Sequence, residues 1–494
     1  MKKITVIGGG ISGLSTACYL AKEGFDVTIY EKGKHLGGRV GILERDGFKF
    51  DTGPTFYRMP GLFEHFFNDF GKRVSDFYNL VRLDPSYQVY FGVNDSLKIP
   101  ANIQEIFEVF EQIEPGSSKY LKSFFKQAKY NYKSAIESAI EKVDKSQLEL
   151  ITLQTIANIA DFLGSISSSI KKNIKSEKLK QVLEFPVILL GGKSFDTSLF
   201  YKFINYADMA LGTWYIEGGF HKLPLAMEEL AQSLGVKIFT ETYIEKIIVE
   251  KGKATTVRFT NLKTGERVVE KTDFVVSSAD YHFSETLLDA EYRNYSRKYW
   301  ANRLLAPSAL IFYVGFNKKL KKVSHHTLFF DADSTKHAET IYDTPRWPEK
   351  PLFYGSFPSI TDASIAPKGK EIGIFLIPVA AGLNDNEALR EAYFIQLMNR
   401  VEELTGQEIK SHVLFKESYS VKEFAEDFNS YKGNAYGLAN ILTQTAFLRP
   451  KMVSKRISNL LYTGQLTVPG VGVPPAIISG KIVASLAVKK LRKE

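Results

Sequence analysis

A single cysteine, Cys18, in a chain of 494 residues rules out an intrachain disulfide and any cluster held by several thiolates. It falls on the apolar side of a helical pattern, where a thiol behaves as a small core side chain, and such cysteine poverty fits a reducing compartment. Histidine is nearly as scarce. Eight are scattered without zinc-ligand spacing, and the adjacent pair His325 and His326 points to opposite faces of a strand, so no metal site is expected. No apolar run reaches the roughly 18 residues that a membrane span needs; the longest, 308–316 and 372–383, fall short. Nor is a secretory leader expected, because only a short apolar run separates Met1, Lys2 and Lys3 from the first glycines. Internal repeats, low-complexity tracts and nucleic-acid motifs are missing as well. Acidic residues are outnumbered, 55 against 64 basic, and the net charge of +9 asks for an anionic partner. Without a nucleic-acid motif, a membrane surface is the better candidate and nucleic acid is not expected. What remains, 44% hydrophobic and 24% charged residues, is an ordinary globular balance over a length that allows two or more domains.

What is present begins at residue 4. Residues 4–7 are apolar and β-branched, the composition of a fully buried parallel strand. Gly8, Gly10 and Gly13 follow in G-x-G-x-x-G order, serving respectively a tight turn, close approach of backbone to a pyrophosphate, and contact between helix and strand. The amides of Ile11, Ser12 and Gly13 open a helix whose residues Leu14, Ala17, Cys18 and Ala21 recur on one face. Gly24 ends that helix, residues 27–30 read as a second strand, and Glu31, followed by Lys32, stands where a carboxylate accepts from the hydroxyls of an unphosphorylated ribose. There is no second fingerprint of this kind, so NAD(P)H is not the expected electron partner.

Gly37, Gly38 and Arg39, then residues 47–51, Gly53 and Pro54, resemble the flavin-containing amine oxidase superfamily. That resemblance implies FAD, with the Gly-Gly-Arg segment bringing amides and a permanent cation to the dinucleotide. Residues 459–480, together with 432–438 and the run Phe447 to Pro450, resemble the phytoene desaturase family of carotenoid desaturases. Here the resemblance implies that Gly464 and Gln465 lie beside the ribityl chain and that a helix starting near Pro474 presents amides of Val473, Ala476 or Ile477 to the flavin. Gln465 departs from the acid that many related flavoproteins carry there. Ile244, in the apolar run 244–249, is placed by the same resemblance at a strand whose backbone reaches the adenine.

The fold so implied is α/β: a glutathione-reductase-like FAD-binding Rossmann domain built from residues 1–80, 215–300 and 450–494. A mixed α+β substrate domain takes residues 81–214 and 301–449. In the first, a helix over 223–234 and strands at 236–239 and 272–280 are predicted. In the second, 81–91 reads as a turn into a strand ended by residues 98–100, strands are predicted at 310–314, 326–330, 372–377 and 412–415, and 103–190 reads as a helical insertion. The implied activity is hydride transfer from a long polyene to flavin N5, introducing C=C bonds. Within the family the residues of 469–475 come closest to desaturases acting at the 3,4 bond of hydroxylated or monocyclic carotenoids, with oxygen or a quinone as electron acceptor. Saturases, isomerases, carotenoid oxygenases, amine or porphyrinogen oxidases and a non-enzymatic escort of prenylated proteins are the alternatives. The intact Gly8, Gly10, Gly13, Glu31 and Arg39 set argues against the escort. No catalytic residue is assigned: Asp208, Glu217 and Asp427 lie in suitable segments but read as surface charges.

Two stretches of the insertion combine apolar and cationic faces. Lys119, Lys122, Lys126, Lys129 and Lys133 form one helical stripe opposite Leu121, Phe124, Phe125, Ala128 and Tyr132. Phe162, Leu163, Ile166 and Ile170 run into Lys171, Lys172, Lys175, Lys178 and Lys180. Such helices lie in a membrane interface, which predicts a cytoplasmic, peripherally bound protein; the alternative is that the apolar faces pack inward and the lysines are solvated.

Overall fold

The computed structural model describes residues 1–141, 164–189, 197–445 and 448–493. Five strands form a parallel sheet in the order Leu460–Tyr462, Phe274–Ser277, Lys3–Ile7, Asp26–Tyr30 and Lys237–Phe239. The β-branched first strand takes the centre, and from Ile4 onward every residue of it is buried. Val6 and its neighbours Ile29 and Val276 face a core built with the helices Ile11–Lys22, Lys222–Ser233 and Val473–Leu491. Ile7, Tyr30 and Val275 face the other way, against an antiparallel sheet of Thr242–Glu250, Lys253–Asn261 and Arg267–Lys271. Both faces are covered, as an all-parallel sheet requires.

The first and last helices approach unusually closely. Ser15 Oγ donates to the Ile477 carbonyl at 2.8 Å, and Thr16 Oγ1 donates to the carbonyls of Ser12 at 2.7 Å and Gly480 at 3.3 Å. A Cβ on Gly480 would stand 2.6 Å from the Ser12 carbonyl oxygen. Cys18 is fully buried and turns its thiol toward the Met227 carbonyl of the helix Lys222–Ser233, 3.8 Å away.

A second sheet has seven strands in the order Val413–Tyr419, Ser308–Phe316, Glu371–Val379, Phe353–Ser356, His326–Phe329, Tyr87–Gly92 and Asp95–Ile99. Only the pairing of His326–Phe329 with Tyr87–Gly92 is parallel. Ser308–Phe316 is buried at every residue because Phe394, Leu397, Met398 and Val401 of the helix Glu387–Thr405 cover one face and Phe48 and Phe50 the other. Lys98 and Ile99 do not end the strand before them, as expected; they belong to a second strand that turns back on Tyr87–Gly92.

Helices Ile103–Ile113, Ser117–Glu141, Ile166–Asn173 and Glu177–Leu189 occupy the expected helical stretch, of which residues 142–163 and 190 lie outside the described residues. Leu121, Phe124 and Phe125 are buried against Ile106, Phe107, Phe110, Ile166 and Ile170, and Ala128 is buried as well. That corrects the picture of an apolar face laid into a bilayer: the face is consumed in the core, and Lys119, Lys122, Lys126, Lys129 and Lys133 remain exposed together with Ser123, Gln127 and Tyr130. Of the second group, Lys178 pairs with Asp95 and Lys180 with Glu177, both at 2.6 Å, while Phe162 and Leu163 lie outside the described residues, as does Phe447. Among the described residues, no helix is long and apolar enough to cross a membrane.

The crossing of the terminal helices gives a test. Gly480→Val is expected to lower stability by about 1–3 kcal/mol, because the two backbones must separate. Gly61→Ala, where an added Cβ meets nothing within 4 Å, serves as the comparison and leaves the thermal unfolding midpoint unchanged or slightly raised. Equal midpoints for both variants would remove the argument from close packing.

Candidate functional site

The first strand ends in a loop gripped by its neighbours. Gly8, at φ +93°, donates its amide to the Tyr30 carbonyl at 2.8 Å, and Gly9 donates to Glu31 Oε2 at 2.7 Å. Glu31 Oε1 receives the Gly33 amide, also at 2.7 Å. The carboxylate therefore shapes the loop and keeps further lone pairs able to accept from a hydroxyl. Gly37 donates to the Gly9 carbonyl at 2.8 Å, which lays the segment bearing Gly38 and Arg39 against the first loop. A Cβ on Gly13 would stand 2.1 Å from the Gly8 carbonyl oxygen, and one on Gly53 1.8 Å from that of Arg39. Gly10 differs: its added Cβ meets nothing within 4 Å. Gly10 also caps the first helix without any side chain to satisfy the amides of Ile11, Ser12 and Gly13. Unmet amides beside open space form a cradle that fits a pyrophosphate.

Two of the expected residues stand apart from this cradle. The Lys32 ammonium is drawn to the Glu426 carbonyl and, at 3.4 Å, to Asn429 Oδ1, which leaves only its backbone next to Glu31. Ile244 lies on Thr242–Glu250, an edge strand joined to the Glu31 carbonyl by the Thr242 amide at 2.8 Å. Its unpaired edge is thus held beside the acid.

The C-terminal residues close on the same place. Gly464 donates its amide to Ser479 Oγ at 3.0 Å, an added Cβ there would lie 3.3 Å from Ser12 Oγ, and Ser12 Oγ lies 2.8 Å from Ser278 Oγ. The last helix starts at Val473 with prolines in its first turn and Gly472, φ +119°, as an N-cap that supplies no side chain. One expectation fails here. The Ala476 amide is spent on the Gly472 carbonyl at 3.0 Å, and because Pro474 and Pro475 have no N–H, Val473 is the first-turn donor that remains.

Arg39 joins these parts. Its Nη2 donates to the Asn434 carbonyl at 3.2 Å, its guanidinium lies 5.1 Å from the Phe428 ring centre, and Nε has no partner. With the Gln465 amide oxygen turned toward it, that oxygen accepts from Nη2 at 3.2 Å while the amide nitrogen donates to the Ala435 carbonyl at 3.3 Å. Burial pushes the Arg39 pKa down, opposed by Asp280, whose own carboxyl burial pushes up against the pull of Arg39. Arg39, Asp280 and Tyr436 are each partly buried, and burial pushes the Tyr436 hydroxyl up to about 12. An unpartnered guanidinium nitrogen fits an isoalloxazine edge or a phosphate. Under the C-terminal loop Arg449, 2% exposed, donates to the Gln465 carbonyl at 3.1 Å and to Asn440 Oδ1 at 2.5 Å.

Beyond Gly53 and Pro54 lies an aromatic cluster that the sequence did not reveal. Phe56 stacks on His326 with ring centres 3.9 Å apart and meets Tyr354 at 5.3 Å; Tyr354 Oη lies 2.8 Å from Thr55 Oγ1 and 2.6 Å from His326 Nδ1. Both histidines of the pair are buried, His325 4.5 Å from His326 ring to ring. They do not diverge, because the strand starts only at His326. Asp208 is likewise no surface charge: it is fully buried, ion-paired with Arg58 at 2.6 Å and hydrogen-bonded by Tyr87 at 3.2 Å. Glu217 and Asp427 are exposed, as read from the sequence. A carboxylate looks solvated in a sequence until its distant cation is known, and here the only local hint is Arg58 in an otherwise aromatic stretch.

The sequence profile described as flavin containing amine oxidoreductase matches residues 11–488. A carotenoid 3,4-desaturase of Haloarcula japonica is 35% identical over 493 residues, covering 99% of this chain and 98% of that protein. A zeta-carotene-forming phytoene desaturase of Myxococcus xanthus is 29% identical, covering 98% and 93%. Among solved structures, an oxidoreductase of Methanosarcina mazei superposes with a TM-score of 0.65 at 19% identity, covering 98% of this chain and 99% of that one.

Gly10→Val places a branched side chain in the open part of the cradle, and flavin content after purification is expected to collapse while far-UV circular dichroism stays that of the wild type. Arg39→Ala removes a buried charge-assisted contact, so flavin binding should weaken by about 1.5–3 kcal/mol, with Arg39→Lys rescuing part of the loss. Wild-type flavin affinity in either Gly10→Val or Arg39→Ala would dismantle the corresponding part of the site.

Proposed function

Because this chain belongs to the flavin containing amine oxidoreductase family and is an FAD-dependent oxidoreductase, we propose that it desaturates a carotenoid, at the 3,4 bond of a hydroxylated or monocyclic polyene. The observation that carries this reading is the likeness to a carotenoid 3,4-desaturase along nearly the whole of both chains. Segments 1–80, 215–300 and 450–494 then form a glutathione-reductase-like FAD domain, supported by the central position of Lys3–Ile7 in the parallel sheet and by the covering helices at both ends of the sequence. Segments 81–214 and 301–449 form the substrate domain.

Gly8, Gly10, Ile11, Ser12, Gly13 and Gly38 hold the pyrophosphate, Glu31 the ribose, Ile244 the adenine, and Arg39, Gly53, Pro54, Gly464, Gln465, Val473 and Pro474 the flavin end. Bound there, FAD supplies a two-electron hydride acceptor. The chain's own contribution is placement: Phe56, Phe185 and Phe330 offer ring faces that orient an apolar polyene and keep water out. Oxygen or a quinone takes the electrons afterwards. The exposed lysines of Ser117–Glu141 give access to a lipid-dissolved substrate by peripheral attraction to an anionic cytoplasmic surface, worth about 1 kcal/mol each close to the membrane.

Anaerobic incubation of the flavin-loaded protein with a carotenoid panel in liposomes should bleach the flavin and shift the carotenoid spectrum to longer wavelength; a panel that leaves the flavin oxidised ends the reading. Replacing Lys119, Lys122, Lys126 and Lys129 by Gln should reduce co-sedimentation with anionic liposomes in a salt-dependent way. Unchanged sedimentation would exclude the stripe as the attachment surface.

A further inference from the structure

The aromatic cluster next to Gly53 and Pro54 contains more polar character than contact with a hydrocarbon needs. Arg58 is 9% exposed, its guanidinium lies 4.4 Å from the Phe56 ring centre and 5.8 Å from that of Phe185, and it faces Asp208, Tyr87 and His326. Asp208 is aimed at it by a π-helical turn, Tyr206–Ala210, a backbone irregularity that concentrates at functional sites. The 2.6 Å contact between Arg58 Nη2 and Asp208 Oδ1 is an ion pair without an aligned hydrogen bond, since neither atom has a hydrogen-bond partner. Arg58 Nε and His326 Nε2 are also buried without partners. Arg58 Nη2 and Asp208 Oδ1 have each other, and Arg58 Nε and His326 Nε2 are thus two unmet nitrogens within one aromatic cluster.

Purely structural duty explains this poorly. A buried ion pair is weak support for a fold, and replacing one with apolar side chains of similar volume is often neutral or stabilising. Each unmet buried donor costs about 1–3 kcal/mol, and a hydrocarbon laid against it leaves that cost in place. An oxygen on the ligand removes it. Guanidinium nitrogens only donate, so the complementary group is an acceptor, either a hydroxyl, which can return its own proton to Asp208, or a carbonyl, which cannot.

Resting on the desaturase reading above, we infer that Arg58, steered by Asp208, donates to an oxygen on the end of the polyene, and that this contact selects oxygen-bearing substrates over hydrocarbons. Arg58 is in this sense a specificity residue and Asp208 a positioning residue behind it. His326, stacked on Phe56 and tied to Tyr354, limits where the oxygen can sit.

The test uses the flavin-loaded protein and three acyclic polyenes of equal conjugation that end in a tertiary hydroxyl, a ketone or a plain hydrocarbon. Binding is read from the shift of polyene absorption, flavin reduction from bleaching. Wild type should bind at least one oxygenated polyene about tenfold or more tighter than the hydrocarbon, the discrimination typical of a site built to hydrogen-bond its ligand. A hydroxyl preference over the ketone assigns Asp208 the returning proton; equal binding of the two assigns recognition to Arg58 alone, and both support the inference. In Arg58→Met with Asp208→Leu, which strands neither charge, the preference should vanish with flavin content unchanged. Arg58→Lys, which keeps the charge and loses the fork, should retain part of it and decides the matter if the double variant does not fold. Equal binding of all three polyenes by wild type, or an undiminished preference in the variants, overturns the inference. If all three bleach the flavin equally, the desaturase reading stands without it; if none does, both fall.

Discussion

A cation that cannot be neutralised sits where the two ends of this chain meet. Arg39 is held by the Asn434 carbonyl, the Gln465 amide and the field of Asp280, three groups from separate parts of the sequence, and it is desolvated by all of them. Guanidinium keeps its proton even there, so the surroundings have to supply acceptors instead. That requirement couples the N-terminal loops, the 434–437 segment and the C-terminal loop. It also explains Gln465: with Asp280 already opposing Arg39, an amide can face the cation with its oxygen and the Ala435 carbonyl with its nitrogen, which an acid cannot do.

The cradle is built at the ends of parallel strands. Residues 8–10 follow Lys3–Ile7, Glu31 follows Asp26–Tyr30, Ser278 and Asp280 follow Phe274–Ser277, and Gly464 follows Leu460–Tyr462. Strands running the same way deliver all these turns to one rim, so each loop needs only a few residues to reach the others. The seven-stranded sheet makes a different contribution. Its strands carry Tyr354 and His326 to the aromatic cluster around Phe56, and Tyr313 Oη donates to the Thr52 carbonyl at 2.9 Å, pinning the turn before Gly53 to that sheet.

What could be read in the sequence was whatever local sterics dictate. Gly8 needs its positive φ, Gly13 has no room for a Cβ, and prolines fit only the first turn of the last helix; each leaves a mark within a few positions. Strands such as Ser308–Phe316 were equally plain, being apolar throughout. Long-range pairing left no such mark. Asp208 is made buried by Arg58, 150 positions earlier, and the apolar side of Ser117–Glu141 has the same pattern whether it meets lipid or Ile106, Phe110 and Ile170. His325 and His326 were misread because a strand boundary lay one residue from where alternation was assumed. The Ala476 amide was misassigned for a similar reason, since a helix that begins at Val473 returns its first bond to Gly472.

The contact of Ser12, Ser15 and Thr16 with Ile477 and Gly480 has a further consequence for how the molecule comes into being. Residues separated by more than 460 positions share one helix crossing. On a ribosome Lys3–Ile7 and Ile11–Lys22 emerge long before their neighbours Phe274–Ser277 and Leu460–Tyr462 and the covering helix Val473–Leu491. The earlier segment therefore waits with an uncovered helix face while the more than 460 positions between the contacting residues are translated. It cannot finish its fold until Val473–Leu491 has been made, and cofactor capture reports on synthesis of that late segment.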